Sequence, residues 1–124
     1  MVMLRLAEIT LIDAVTSQQV IIEAERNLTR YLPTVLPTFQ LIVSRCLRVV
    51  ADPLPGDLHP YVGLANQKDL PILVAALREA CPWLITFNVR HFQPGHPSIN
   101  VVRPGRFVQH VRGLLVSLSG NGNV

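Results

Sequence analysis

The run Leu70-Pro71-Ile72-Leu73-Val74-Ala75-Ala76-Leu77 constrains the fold more than any other segment of the chain. Asp69 precedes it as a candidate N-cap, able to accept hydrogen bonds from the unpaired amides of a first helical turn. Pro71 fits that turn, where its missing N–H removes no hydrogen bond. The helix so defined is apolar nearly all round, and such a helix has to lie between a sheet and a further layer. With 124 residues, the sequence has room for one domain of this kind. A composition 49% apolar and only 15% charged excludes intrinsic disorder.

The flanking sequence supplies the strands and helices. Val2 to Ile9 reads as a short helical piece with Met3, Leu6 and Ala7 on one face, and Leu11 to Thr16 as a strand. Ser17 is an N-cap for a helix running to about Tyr31, with Val20, Ile21, Ala24, Leu28 and Tyr31 in one stripe. Pro33 stops it. A second helix is expected from Thr34 to Arg45, with Pro37 tolerated only in its first turn. Leu47 to Ala51 is a strand, and the proline-rich stretch from Asp52 to Gln67 a long loop with a short helix at Pro60 to Ala65. Pro82 closes the apolar helix. Trp83 to Phe87 and Ile99 to Arg103 are strands around a turn-rich loop, and Pro104 starts a last helix ending near Leu118. The domain therefore spans residues 1–118, and 119–124 form a polar, glycine-rich tail expected to be flexible.

Strands separated by helices imply parallel pairing with right-handed crossovers. The expected fold is α/β: a three-layer α/β/α sandwich on a parallel sheet of about four strands. Ligands of such sheets bind beyond the carboxyl ends of the strands. That rule singles out Ser17, Asp52, Asn88 and Pro104, with Asp69 on the same rim.

Several function classes fall away. No apolar run reaches the roughly 18–20 residues of a membrane span, and Met1 to Leu6 lack a secretory signal, so the expected location is the cytoplasm. Cys46 and Cys81 lie in no CxxC pair and read as buried free thiols. No GxGxxG, P-loop, GxSxG or HExxH motif is present. His91 and His96 would need two further ligands to make a zinc site. The net charge is +3, and ten of the eleven basic residues are Arg, whose guanidinium fork suits phosphate oxygens.

Carboxylates remain. Glu23 lies on the flank of its helix stripe and shares that edge with Asn27 at i, i+4; by itself it reads as a solvated helix residue. Asp69 alone reads as a cap, and Asn88 alone as a turn residue after Thr86-Phe87. Their order along the chain carries more. Lys68-Asp69-Leu70-Pro71-Ile72-Leu73-Val74-Ala75-Ala76, followed by Trp83-Leu84-Ile85-Thr86-Phe87-Asn88-Val89-Arg90-His91-Phe92, resembles the second half of a PIN domain. Ser17-x-x-Val20-Ile21-x-Glu23-Ala24-x-x-x-Leu28 resembles the earlier helix of that family, and Val101-Val102-Arg103-Pro104-Gly105-Arg106-Phe107 its last strand and helix start.

The resemblance runs from about Leu4 to Leu115 and implies a ribonuclease dependent on Mg²⁺ or Mn²⁺, in many relatives a toxin paired with an antitoxin protein. Glu23 and Asp69 would be metal carboxylates, Asn88 would take the fourth acidic position, and Thr86 the hydroxyl position before it. The family's opening strand, roughly Val-x-Asp-(Thr/Ser)-Asn, supplies its central metal ligand and has no counterpart here, since Asp13 falls in a different strand. Loss of that ligand predicts weak cation binding, and loss of the strand predicts exposed sheet edges, hence a homodimer or larger assembly. Three readings follow: a PIN-like ribonuclease acting on RNA, a non-catalytic PIN-like module that binds RNA or a protein, and an unrelated α/β domain. The ribonuclease is either a shortened, weak relative or one whose start lies upstream of Met1.

Overall fold

The structure is a computed structural model that describes residues 12–122, with side chains described to residue 117. The expected helix from Val2 to Ile9 lies outside the described residues. The described residues contain four strands: β1 (Val15–Ser17), β2 (Arg48–Val50), β3 (Trp83–Ile85) and β4 (Asn100–Val102). The helices are α1 (Gln18–Tyr31), α2 (Leu36–Cys46), α3 (Pro55–Leu58), α4 (Leu70–Arg78) and α5 (Pro104–Gly122). Single 3-10 turns fall at Pro33–Val35, His59–Tyr61 and Val89–Phe92. The fold is mixed α/β. No described helix is long and apolar enough to cross a membrane.

All strand pairing is parallel, as the alternation of strands and helices requires. The strands do not join into one sheet of about four, however. Among the described residues β1 pairs only with β2, in the register Val15 to Arg48, and β3 only with β4, in the register Trp83 to Asn100. Each strand is three residues long, shorter than the sequence pattern suggests. A strand with a neighbour on one side only has half its backbone groups to pair, which limits the length that pairing can hold.

The core gathers around α4. Leu73 is fully buried, and Leu70, Val74, Leu84, Phe92 and Ile99 close over it. The all-round apolar helix is therefore interior, as its sequence demands. Helices α1 and α2 contribute no fully buried residue, and Ile22, Leu32 and Leu41 stay exposed. Pro37 falls in the first turn of α2, the one place that tolerates it.

Local differences have local causes. The short helix in the long loop starts at Pro55 instead of Pro60, because Asp57 reaches back from the third helical position to accept from the Leu54 N–H at 3.0 Å. The apolar helix stops at Arg78, before Pro82. Cys81 N–H returns to the Ala76 carbonyl at 2.9 Å and Ala80 N–H to that of Leu77 at 3.1 Å, a Schellman closure with Ala80 left-handed at φ 55°. Cys46 and Cys81 are free thiols but half-buried, not buried. Helix α5 continues past Leu118 to Gly122.

Candidate functional site

The carboxyl ends of β1 and β2 meet the first turn of α1. Ser17, buried as the last residue of β1, caps that helix by accepting from Val20 N–H at 3.4 Å. Asp52, two residues beyond β2, accepts from Gln19 N–H at 3.0 Å and serves a second orphan amide. The Gln19 side chain then faces two ways. Its Nε2 donates to Glu23 Oε1 at 3.5 Å, one turn along the helix, and to the carbonyl of Lys68 at 3.2 Å. One glutamine thus ties Glu23 to the residue preceding Asp69.

Asp69 is not the cap that the sequence suggests. Its backbone is already near-helical (φ −98°, ψ −9°), where N-caps are extended, and its side chain caps no amide. The carbonyl of Asn66 takes the N–H groups of Asp69 and Leu70 instead, at 2.9 and 2.8 Å. The Asp69 carboxylate is free for His91, whose Nδ1 lies 3.1 Å from Oδ2. His91 also donates its backbone N–H to the carbonyl of Asn88 at 3.0 Å. Asn88 in turn donates its own N–H to Thr86 Oγ1 at 3.0 Å, so the threonine hydroxyl shapes the turn after β3.

Glu23, Asp69 and Asn88 are accordingly linked through Gln19, Lys68 and His91. They do not condense into a ligand cluster: among the described residues, no three His, Cys, Asp or Glu side chains stand where they could hold a metal ion. Asp69 is engaged by a histidine, and Glu23 faces an amide donor. This donor set does not fit a self-sufficient Mg²⁺ site, which needs near-octahedral oxygen ligation.

Gln19 and His91 were not legible as site residues. The Gln19–Glu23 spacing of four was the one local signal for the first, and the Asp69–His91 pair has no sequence signal at all. Asp52 was marked only by its place after a strand.

The same rim carries positive charge and an aromatic ring. Phe87, between Thr86 and Asn88, is 74% exposed. Thr86 N–H donates to the Val102 carbonyl at 2.9 Å, so the segment bearing Phe87 runs beside the end of β4, where Arg103 and then Arg106 follow. Both arginines are exposed, as are Lys68 and Arg90.

Comparison with protein-family models, with curated proteins and with solved structures finds no match for this chain. The fold and the rim define a mixed α/β protein with short parallel strands and a site at their carboxyl ends.

Proposed function

We propose that this chain is a PIN-like RNA-binding module of the cytoplasm whose carboxylates do not by themselves make up a hydrolytic centre. The observation that carries this reading is the exposed Phe87, in the segment that Thr86 N–H ties to the end of β4, where the exposed Arg103 and Arg106 follow. Bases of single-stranded RNA stack on such rings, and the guanidinium groups take the phosphates. RNA binding should weaken steeply with salt, because each phosphate contact releases counterions. Phe87→Ala should cost about 1–3 kcal/mol of binding free energy, the scale of one base–aromatic stack. The test is fluorescence anisotropy with labelled single-stranded RNA, with the RNA then run on a gel after incubation with Mg²⁺ or Mn²⁺. Intact RNA and a salt-dependent complex are expected. No complex at low salt overturns the reading.

One observation favours a second reading, the Mg²⁺-dependent endoribonuclease, with an antitoxin as its protein partner. Gln19 bridges Glu23 to the carbonyl of Lys68, the residue before Asp69, which supports this reading. With so few carboxylates, Mg²⁺ affinity should be on the order of millimolar. Cleavage by the wild type that is lost in both Glu23→Gln and Asp69→Asn, with RNA binding retained, establishes this reading over the first.

A further inference from the structure

The segment Gly95-His96-Pro97-Ser98-Ile99 joins the 3-10 turn at Val89–Phe92 to β4 and sets a hydroxyl against an imidazole. Ser98 Oγ lies 2.7 Å from His96 Nδ1, and Ser98 N–H donates to the same nitrogen at 3.1 Å. A backbone N–H only donates, so Nδ1 is an acceptor and the neutral ring carries its proton on Nε2. With the tautomer fixed in this way, the serine hydroxyl is the donor of the 2.7 Å bond. A hydroxyl within roughly 2.6–3.2 Å of a neutral imidazole that accepts from it is the arrangement by which a base activates a nucleophile.

The turn holds the two groups in place. Phe92 and Ile99, at its ends, are buried in the core. Gly95 N–H donates to the Leu64 carbonyl at 2.8 Å, and Ile99 N–H to that of His96 at 3.0 Å. Gly95 stands at φ 78°, and a Cβ there would meet the Phe92 carbonyl oxygen at 3.0 Å, so this close approach needs glycine. The half-buried His96 ring packs edge-on to Tyr61, with centroids 6.3 Å apart. Ser98 is exposed and open to a reactant. A base and a nucleophile fixed side by side have already lost the freedom that the reaction would otherwise have to remove.

We infer that Ser98 is a nucleophile activated by His96, and that it takes an acyl group from an aryl ester or a thioester. Oγ attacks the acyl carbon, and its proton passes to Nδ1 as the Oγ–C bond forms. Once protonated, Nδ1 no longer accepts from Ser98 N–H, which is released as the oxyanion of the tetrahedral intermediate develops. A nucleophile's own N–H is one of the donors that stabilise such an oxyanion in acyl transfer. The intermediate then collapses. The bond to the leaving group breaks, the leaving group keeps the electron pair, and the Nδ1 proton goes to it. The products are O-acyl-Ser98, a phenol or thiol, and neutral His96. One imidazole serves as base and then as acid, which suits a leaving group that departs as a weak base. The site lies at the amino end of β4, away from the rim at the carboxyl ends, and its chemistry is independent of RNA binding.

Ser44 is the internal control. It is also exposed, but its Oγ donates to the Leu41 carbonyl at 2.7 Å, and a carbonyl is no base for the proton. The full chain is treated with p-nitrophenyl acetate, and acetylated positions are followed over time by peptide mass spectrometry. Ser98 should acetylate at least tenfold faster than Ser44, and more slowly in D₂O than in water, because a proton moves in the step. His96→Gln keeps an acceptor for Ser98 N–H but removes the base. It should slow acetylation of Ser98 at least tenfold, below the usual worth of a positioned base, while circular dichroism stays as in the wild type. Equal rates at Ser98 and Ser44, or a Ser98 rate that His96→Gln leaves unchanged, overturn the proposal. So does acetyl on His96 with Ser98 unmodified, because the imidazole is then itself the nucleophile. The wild-type comparison of the two serines decides the matter even where His96→Gln fails to fold.

Discussion

At the scale of single residues, Asp69 separates what sequence position suggests from what geometry does. A capping aspartate replaced by Ala costs about 0.5–2 kcal/mol. Asp69 makes no capping bond, and the first-turn amides are held by the carbonyls of Asn66 and Asp69. What Asp69→Ala removes is a pair with a half-exposed His91, charged only while that histidine is protonated. The loss should stay below about 1 kcal/mol. Thermal melts of wild type and Asp69→Ala check this. Cys81 behaves in the opposite sense to a paired acid. Burial, and then the nearby negative charge of Glu79, push its thiol above the usual value. The folded chain therefore holds that proton more tightly than the unfolded chain does. The resulting stability is fully present below the ordinary thiol value, about 8.5, and is lost as pH rises through the higher folded value. Subtracting the alkaline stability profile of Cys81→Ala from that of wild type should show a decline that begins near that pH.

At the scale of elements, helix ends decide the boundaries. Ala80 occupies the left-handed position of a Schellman closure, where glycine is the usual residue. A left-handed Ala costs roughly 1–2 kcal/mol, and a glycine there gives back about 0.5–1 kcal/mol through the freedom it gains in the unfolded chain. Ala80→Gly should accordingly stabilise the protein by up to about 1 kcal/mol, with an upward shift of the urea midpoint as the measurement. This position also shows what the sequence could carry. The helix start at Leu70, the Ser17 cap and Pro37 in a first turn were all legible, because each follows from one residue's backbone preference or side-chain acceptor. The stop at Arg78 was not, because nothing about an alanine advertises φ 55°, and Pro82 is the stronger local signal. The site divides in the same way. Glu23 and Asn88 could be placed on their elements by period and strand end, whereas the Gln19 bridge to Lys68 spans 49 residues and the Asp69–His91 pair joins a helix start to a 3-10 turn. Contacts of that range depend on packing, which local pattern does not encode.

At the scale of the whole molecule, alternation of strands and helices predicted parallel pairing correctly, but in place of the expected single sheet of about four strands the described residues form two pairs. Pairing is a property of neighbours, and among the described residues β1 and β3 each have one on a single side. The consequence can be measured amide by amide. Leu84 and Thr86 direct their N–H groups into the β3–β4 ladder, and Thr86 bonds Val102 O at 2.9 Å. Trp83 and Ile85 alternate with them on the same three-residue strand and direct theirs away. Burial alone would protect all four to a similar degree, since Leu84 is buried and Trp83, Ile85 and Thr86 are half-buried. Pairing separates them. Native-state hydrogen exchange, followed by NMR, should find Leu84 and Thr86 slow and Trp83 and Ile85 fast, with Thr16 slow and Val15 fast on β1. Uniform protection along β3 would mean that its second edge is already paired, and that the two half-sheets are one sheet in solution.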